Sequence, residues 1–215
     1  MLPDRASVDV DGGGLPPPLL PQEDEALGSA APSRREEFSR GRGCARRALE
    51  ALGEVPSAIL RKGRAPVWPQ GVIGSITHCQ GLVAAAAARR GPIVSIGIDA
   101  ELRGRVSPDL SGHIATREEL AWLKRTERQP HELTGLWCAK EAIFKCLHPV
   151  FGVFLEFRDV AITLDLPSGR FSLSRVDKPL WGSAIPAIDG RVAIVGEYVL
   201  ASCVLAEPGP RWSCA

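Results

Sequence analysis

Two carboxylates stand two residues apart at the end of a strand-like run near the middle of the chain. From residue 94 to residue 101 apolar side chains alternate with Ser, Gly, Asp and Glu, so Asp99 and Glu101 project from one face of the predicted strand. Gly97 leaves room beside them. Carboxylate oxygens at this spacing are hard ligands of the kind that magnesium takes together with phosphate oxygens and water. The ordinary alternative is two solvent-facing acids without a ligand.

A lysine interrupts the apolar face of a helix predicted over residues 131–147. Lys140 lies at the centre of the apolar stripe, which indicates either a functional site or a side chain whose ammonium reaches solvent along its stem. Glu141 borders the stripe, and Lys145 follows it by one helical turn. This spacing is equally typical of a simple helix-stabilising ion pair. The unusual position of Lys140 favours a functional role for the group.

Hydroxyl groups and an imidazole lie together at Ser75, Thr77 and His78. Ser75 and His78 could act as nucleophile and base, but the G-x-S-x-G pattern of many hydrolases is missing. His78 and Cys79 also lack the usual zinc-ligand spacing to any later Cys or His. A phosphate contact by His78 fits the basic neighbourhood better.

The charge of the chain is divided between two adjacent segments. Residues 1–33 carry six acids and one base, whereas residues 34–64 carry nine bases and four acids. In a chain of balanced total charge, a local basic block favours a polyanionic small ligand or an acidic protein partner over nucleic acid. A solvated basic helix face is the ordinary alternative. The charge split raises the question whether the acidic segment shields the basic helix when substrate is absent.

The composition is that of a soluble globular protein: 215 residues, 45% hydrophobic, 24% charged, formal net charge +1. No apolar run is long enough to cross a bilayer, and the N-terminus lacks the pattern of a signal peptide, so we predict a cytoplasmic protein. Six single cysteines without a C-x-x-C pair indicate reduced and mainly packed thiols.

Helix and strand patterns occur in the same order in both halves of the chain. A Gly- and Pro-rich segment, residues 1–18, is predicted to be disordered. Capping boxes at Ser33 with Glu36 and at Thr116 with Glu119 open helices, the first ending at Gly53 and the second covering residues 118–128. The helix over 131–147 is ended by Pro149. Strands are predicted at 72–77, 82–88 and 93–101, and again at 157–164, 170–176 and 191–205, with turns at 167–169 and 189–190.

The repeated order predicts an α+β fold built as a pseudo-twofold pair of similar lobes, each a small antiparallel sheet with helices. We place the N-terminal lobe at residues 19–102 and the C-terminal lobe at residues 103–215. Each lobe is small for an independent core, so the two should pack together and leave a cleft between them.

Three ordered blocks resemble the signature of 4′-phosphopantetheinyl transferases. They are residues 74–79 (GSITHC), 97–101 (GIDAE) and 137–145 (WCAKEAIFK). Upstream blocks at residues 34–38, 41–46 and 64–69 resemble the same family. The chain is most similar to the Sfp-type group and, within it, to the enterobactin synthase component D-like branch.

The resemblance implies transfer of 4′-phosphopantetheine from coenzyme A to a serine of an apo acyl or peptidyl carrier protein, with release of adenosine 3′,5′-bisphosphate. It implies the two-lobed fold of that family, dependence on Mg²⁺, and a setting in secondary metabolism or siderophore synthesis. We expect a monomer with no nucleic-acid partner and no membrane span.

The resemblance also implies roles for individual residues. Asp99, Glu101 and Glu141 match the metal ligands, and Glu141 is the expected base for the carrier serine, with Lys145 as its partner. The expected contacts to coenzyme A are Arg34, Arg42, Lys62 or Arg64, Ser75, Thr77, His78, Asp99, Lys140 and Lys145.

Two other interpretations compete with the transferase. A non-catalytic module that binds coenzyme A or a nucleotide would keep the cleft without the reaction. A nucleic-acid binder would use the arginine-rich helix and would lose affinity steeply with salt, but it gives no role to the three carboxylates.

Overall fold

The computed structural model describes residues 5–125, 130–179 and 187–207, which form five α-helices and ten β-strands. The helices are α1 (Pro21–Leu27), α2 (Pro32–Ala51), α3 (Ser111–Ile114), α4 (Arg117–Arg125) and α5 (Pro130–Phe151). The strands are β1 (Ala6–Val10), β2 (Leu60–Lys62), β3 (Ala65–Val67), β4 (Val72–Cys79), β5 (Leu82–Arg89), β6 (Ile93–Leu102), β7 (Val160–Asp165), β8 (Arg170–Val176), β9 (Ile188–Val195) and β10 (Tyr198–Ala206). Short 3₁₀ turns cover Pro108–Leu110 and Phe157–Asp159.

The strands form three antiparallel sheets. A three-stranded sheet has the order β1-β5-β4, a five-stranded sheet has the order β6-β10-β9-β8-β7, and β2 pairs with β3 in a separate hairpin. A long helix packs on each of the larger sheets: α2 on the first and α5 on the second. The predicted α+β class, with helix followed by antiparallel strands in both halves, is confirmed.

The alanine-rich strand β5 is buried on both faces. Ala85 and Ala87 pack in the cluster beneath α2, whereas Ala84, Ala86 and Ala88 pack in a second cluster with β6. A strand covered on both sides is apolar throughout rather than alternating. The first sheet is therefore held between α2 and β6.

The strand that carries Asp99 and Glu101 belongs to the second sheet by its hydrogen bonds. β6 pairs with β10, where Asp99 faces Ala201 and Glu101 faces Val199. The sequence pattern predicts that β6 completes the sheet of the N-terminal lobe. The predicted lobe boundary at residue 102 separates β6 from β10, with which it pairs. The alternation of β6 predicts a strand but does not identify its partner, which lies about a hundred residues further along the chain. The two lobes are consequently interleaved.

The N-terminal segment is ordered where the sequence predicted disorder. β1 pairs along its length with β5, and the Ser7 hydroxyl donates to the Ala48 carbonyl at 2.6 Å. The following Pro-rich stretch also contacts α2, since Ser39 donates to the Pro17 carbonyl. The prediction of disorder over residues 1–18 is therefore wrong for residues 6–10, which supply an edge strand; residues 1–4 lie outside the described residues.

Several predicted boundaries shift. The first long helix starts after Ala31, with Pro32 in its first turn, so Ser33 is inside the helix rather than its cap. Pro149 lies within α5, which continues to Phe151. The predicted strand over 191–205 is two strands that meet at Gly196, whose φ is 58°, and the predicted turn at 189–190 lies inside β9.

The second capping box is confirmed. The Thr116 N–H donates to Glu119 at 2.7 Å, and the Glu119 N–H donates to the Thr116 hydroxyl at 3.4 Å. Part of the helix predicted over 118–128 falls on residues 126–128, outside the described residues.

The cysteines of the described chain are free thiols. Cys44, Cys138, Cys146 and Cys203 are buried and Cys79 is half-buried; Cys214 lies outside the described residues. None of the helices in the described ranges combines the length and hydropathy that a membrane span requires.

Candidate active site

Gly97 allows α5 to lie directly on β6. A Cβ at this position would fall against the Ala142 carbonyl oxygen and the Cys146 backbone nitrogen of the helix. The close approach places Lys145 of α5 over the strand that carries Asp99. The sequence had indicated that Gly97 leaves room beside the carboxylates, and the structure shows that the helix backbone fills this room.

A buried ion pair between Asp99 and Lys145 forms the centre of the site. The Lys145 ammonium donates to Asp99 Oδ1 at 2.7 Å and to the Ile98 carbonyl at 3.1 Å. Asp99 is 7% exposed, whereas the Lys145 side chain is 27% exposed and borders the cleft. Lys145 of α5 therefore bonds to Asp99 on β6, and the alternative of a simple Glu141–Lys145 helix pair does not describe its contacts.

The second oxygen of Asp99 is buried without a hydrogen-bond partner. A buried carboxylate oxygen normally has a donor or a cation beside it, since an unsatisfied charged group is costly in a low dielectric. Asp99 Oδ2 is thus an acceptor with unused capacity at the centre of the site.

Ser75 and Thr77 join β4 to β6. The Ser75 hydroxyl accepts the Ile98 N–H at 3.1 Å, and the Thr77 hydroxyl accepts the Ala100 N–H at 3.2 Å. Thr77 also donates to Asp99 Oδ1 at 3.1 Å. Both hydroxyls are buried and committed to the protein. The structure thus gives them a role in holding Asp99 in place, while Ser75 also borders the main cleft, and their contact with coenzyme A stays a prediction.

Glu101 and Glu141 are half-buried carboxyls near this centre. Burial raises the pKa of each, and the negative charge of Asp99 raises both further. Glu141 borders a cavity of about 470 Å³ that also contacts Lys145 and Arg64. Within the part of the chain that the structure describes, no three acidic, His or Cys side chains are gathered closely enough to hold a metal ion.

Lys140 is part of a closed internal network. Its ammonium donates to the Ile114 carbonyl at 2.9 Å, to Glu119 at 2.6 Å and to the Phe157 carbonyl at 2.8 Å. Burial lowers its pKa, and the charge of Glu119 opposes that shift. All three N–H donors are used within the protein, and the contact between Lys140 and phosphate stays a prediction. Lys140 joins three segments of the C-terminal half, and its ammonium does not reach solvent.

A basic cavity of about 360 Å³ lies on the other side of the cleft. Its charged lining comes from α2, from the β2–β3 hairpin and from the end of β4. These residues are Arg34, Glu37, Arg42, Arg61, Arg64 and His78. Guanidinium groups converging from two elements suit the phosphates of a nucleotide, which they can bind in bidentate fashion.

Arg42 and His78 are the groups of the basic cavity whose pKa values are shifted by burial. Burial lowers the pKa of Arg42 to about 10, so the side chain stays charged at neutral pH. Its Nε donates to the Ile59 carbonyl at 2.6 Å, and its guanidinium stacks 4.0 Å from the Phe38 ring centre. His78 is half-exposed, and desolvation lowers its pKa while nearby Glu37 opposes that shift.

The main cleft between the lobes has a volume of about 730 Å³. It runs from the β2–β3 hairpin across β4 to the end of α5, where it meets Lys145 and His148. Arg64 contacts this cleft, the cavity beside Glu141 and the basic cavity, whereas Lys62 borders the main cleft alone of the three. Of the two basic residues left open by the sequence, the geometry favours Arg64 as the phosphate contact.

The N-terminal acids pair with arginines that face away from the basic cavity. The ion pairs are Asp24–Arg35, Asp11–Arg40, Glu23–Arg46 and Asp9–Arg47. Arg34 instead pairs with Glu37 of its own helix. Among the described residues, four arginines of the basic helix pair with N-terminal acids, whereas no N-terminal acid pairs with Arg34 or Arg42. The acidic segment neutralises the other arginines of α2.

Sequence reasoning missed Glu23 and Glu37. Glu37 contacts both Arg34 and His78, at 3.3 Å and 3.5 Å. Its position three residues after Arg34 is a helical neighbour spacing that could have indicated the first contact. Glu23 is fully buried and binds Arg46, which no local pattern indicated.

Two family models match the chain in succession. Residues 22–88 match the 4′-phosphopantetheinyl transferase N-terminal domain, and residues 95–203 match the 4′-phosphopantetheinyl transferase superfamily. The chain belongs to this superfamily, and it is a transferase that moves phosphopantetheine to carrier proteins.

Two relatives agree with this assignment. The chain is 37% identical over 210 residues to 4′-phosphopantetheinyl transferase PptT of Mycobacterium tuberculosis, covering 93% of this chain and 91% of that protein. It is 33% identical over 135 residues to enterobactin synthase component D of Salmonella typhimurium, covering 59% and 53%. The crystal structure of Thermotoga maritima holo-[acyl-carrier-protein] synthase matches with a TM-score of 0.43 and 21% identity, covering 54% of this chain and 65% of that one. The resemblance stated from the sequence is confirmed.

Proposed function

We propose that this protein transfers 4′-phosphopantetheine from coenzyme A to a serine of acyl or peptidyl carrier proteins in the cytoplasm, as a Mg²⁺-dependent monomer that releases adenosine 3′,5′-bisphosphate. The observation that carries the proposal is the pairing of two sites across one cleft. The Asp99–Lys145 centre lies on one side, the basic cavity lies on the other, and Arg64 borders both.

The basic cavity suits the nucleotide end of coenzyme A. Arg34, Arg42 and His78 offer donors for its phosphates, and Arg64 is placed to follow the phosphates toward Lys145. The main cleft, with aromatic and apolar lining from Trp68 and Phe144, then has room for the pantetheine arm. This orientation places the pyrophosphate near the acidic centre.

Magnesium fits the chemistry of the donor set. Asp99 would hold it through the unpartnered Oδ2, and Glu101 and Glu141 would supply further carboxylate oxygens after side-chain movement. When bound, the ion would neutralise charge on the pyrophosphate oxygens. Lys145 stays beside Asp99 in this arrangement and offers its ammonium to a phosphate oxygen at the mouth of the cleft.

The reaction needs a base and a leaving group but no covalent enzyme intermediate. The carrier serine oxygen bonds to the phosphorus that carries pantetheine, the bridging P–O bond breaks, and the bisphosphate departs with the bridging oxygen. Glu141 is the group at the cavity that can take the serine proton, directly or through a water. Lys145 is positioned to stabilise the charge of the departing phosphate.

The test combines intact-mass measurement with direct binding. Wild-type protein with coenzyme A, Mg²⁺ and an apo carrier should add one phosphopantetheine to the carrier, and a chelator should abolish the gain. Glu141→Gln should lower kcat by about a hundredfold or more while coenzyme A binding stays within about threefold. Glu50→Gln, an exposed change on α2, is the matched control and should behave as wild type.

Two results would contradict the proposal in different ways. Full turnover by Glu141→Gln would exclude Glu141 as the base while leaving the transferase activity intact. Coenzyme A binding without modification of carriers from fatty acid, polyketide or nonribosomal peptide synthesis would instead indicate the non-catalytic binding module.

A further inference from the structure

Glu23 is a fully buried carboxylate outside the cleft. Its side chain is 0% exposed, and Oε2 accepts Arg46 at 2.5 Å and the Leu20 N–H at 3.0 Å. The other oxygen, Oε1, accepts the N–H of Ile59 at 2.9 Å. Buried acids are retained when such partners compensate the loss of hydration, and every one of these contacts fixes a different segment.

Both backbone polar groups of Ile59 form hydrogen bonds with buried side chains. Glu23 binds its N–H, and Arg42 binds its carbonyl through Nε at 2.6 Å. The Ile59 side chain is also fully buried in the cluster beneath α2. Residue 59 is thus a fixed point that joins α1, α2 and the chain entering β2.

The residues that follow Ile59 are exposed and basic. β2 begins at Leu60, all three of its residues are exposed, and it pairs with β3 alone. The hairpin carries Arg61 and Arg64 to the basic cavity and Lys62 to the main cleft. With little buried surface of its own, the hairpin depends on its attachment at residue 59 for its position.

We propose that Glu23 is a positioning residue for nucleotide binding: together with Arg42 it anchors Ile59 and so holds the basic hairpin over the cleft before coenzyme A arrives. The inference rests on the proposed function for the identity of the ligand. A hairpin fixed in advance does not lose conformational freedom on binding, and this preorganisation appears in the affinity rather than in the chemical step. Glu23 contacts none of the residues of the Asp99–Lys145 centre.

Two double variants separate the effect of the Glu23–Ile59 hydrogen bond from the effect of the Glu23–Arg46 ion pair. Glu23→Leu with Arg46→Met removes the buried pair and the acceptor for the Ile59 N–H, whereas Glu23→Gln with Arg46→Met removes the pair but keeps an amide oxygen as acceptor. We expect the first variant to bind coenzyme A about tenfold more weakly by calorimetry, with kcat at saturating coenzyme A within about twofold of wild type. The second variant should recover most of the affinity.

Limited trypsin digestion gives a second readout. Cleavage after Arg61, Lys62 and Arg64 should accelerate in the leucine variant, while cleavage after Arg103 and Arg105, in an exposed loop of the other half, serves as an internal reference. Equal acceleration at both places would indicate general destabilisation and would overturn the positioning role.

Hydrogen exchange of the wild-type protein tests the anchor even if the leucine variant does not fold. The Ile59 amide should be protected in the free protein and should gain little protection from coenzyme A. An Ile59 amide that is protected only after coenzyme A is added would overturn the inference. So would a leucine variant with wild-type affinity; a wild-type protein that binds no coenzyme A would instead overturn the proposed function.

Discussion

His78 lies where charged groups from three elements converge. Glu37 and Arg34 face it from α2, Lys145 from α5 and Asp99 from β6. Desolvation lowers its pKa from the ordinary value, so the ring is mostly neutral at pH 7 in the free protein. A bound phosphate favours the protonated ring, and phosphate binding and proton uptake are therefore coupled.

The sign of this coupling gives a pH dependence for substrate binding. The KM for coenzyme A should fall severalfold as the pH is lowered from about 8 to about 6, because less work is then needed to protonate His78. Initial rates at several coenzyme A concentrations across this range measure it. After correction for the titration of the ligand phosphate, the KM of His78→Gln should depend less on pH than the KM of the wild type. His131→Gln is the control. A profile unchanged by His78→Gln would remove His78 from the phosphate site.

At the residue scale, local patterns predicted the ionisable groups of the site better than their partners. Strand alternation placed Asp99 and Glu101 on one face, and the resemblance added Lys145. Neither could predict that Lys140 bonds to Glu119, because the two are 21 residues apart and meet only in the folded protein. Glu23 was counted only as an acid of the N-terminal segment, since its contact with Ile59 spans 36 residues.

At the scale of elements, the site depends on the distance between α5 and β6. Gly97→Ala should force the helix away from the strand, because the new Cβ meets backbone atoms that cannot rotate aside. Overpacking of this kind typically costs about 1–3 kcal/mol of stability. We expect a lower midpoint in urea unfolding and a kcat reduced by more than about tenfold, since Lys145 moves with the helix.

The control for this prediction is Gly112→Ala in α3, where a Cβ meets no atom within 4 Å and φ is not positive. It should leave both stability and kcat close to wild type. Wild-type turnover in Gly97→Ala would show that the spacing of α5 and β6 does not set the geometry of the reaction.

Elements with strong local signals were predicted and elements defined by distant partners were not. The capping box at Thr116 and the apolar periodicity of α5 gave two helices nearly correctly, although Pro149 did not end α5. The sequence patterns did not predict β1, because this strand has only five residues and lies beside a Gly- and Pro-rich stretch. Its strand conformation depends on pairing with β5, which is a tertiary contact.

In the whole molecule, the arginines of α2 form two groups, which differ in whether they pair with an N-terminal acid. Those on the outer side are neutralised by the segment that contains β1, and those facing the basic cavity stay available for the ligand. Replacing Asp9 and Asp11 with Asn should therefore leave the KM for coenzyme A unchanged. It should raise the affinity for a DNA oligonucleotide severalfold at low salt, because Arg47 loses its acidic partner and Arg40 keeps only Glu36.

Fluorescence anisotropy with a labelled oligonucleotide at several salt concentrations, beside steady-state kinetics, measures both effects. Glu25→Gln with Glu50→Gln is a control of the same net charge change at two exposed positions. A lower KM for coenzyme A in the Asp9 and Asp11 variant would show that the acidic segment also shields the arginines that bind the ligand.

The pairing of β6 with β10 bears on the order in which the molecule can be completed during synthesis. The strand that carries Asp99 leaves the ribosome well before its hydrogen-bonding partner, Tyr198–Ala206, which lies about a hundred residues further along the chain. Until those residues emerge, one edge of β6 is open and its backbone groups are unpaired. The strand that carries Asp99 can therefore complete its backbone hydrogen bonds only after Tyr198–Ala206 has been synthesised.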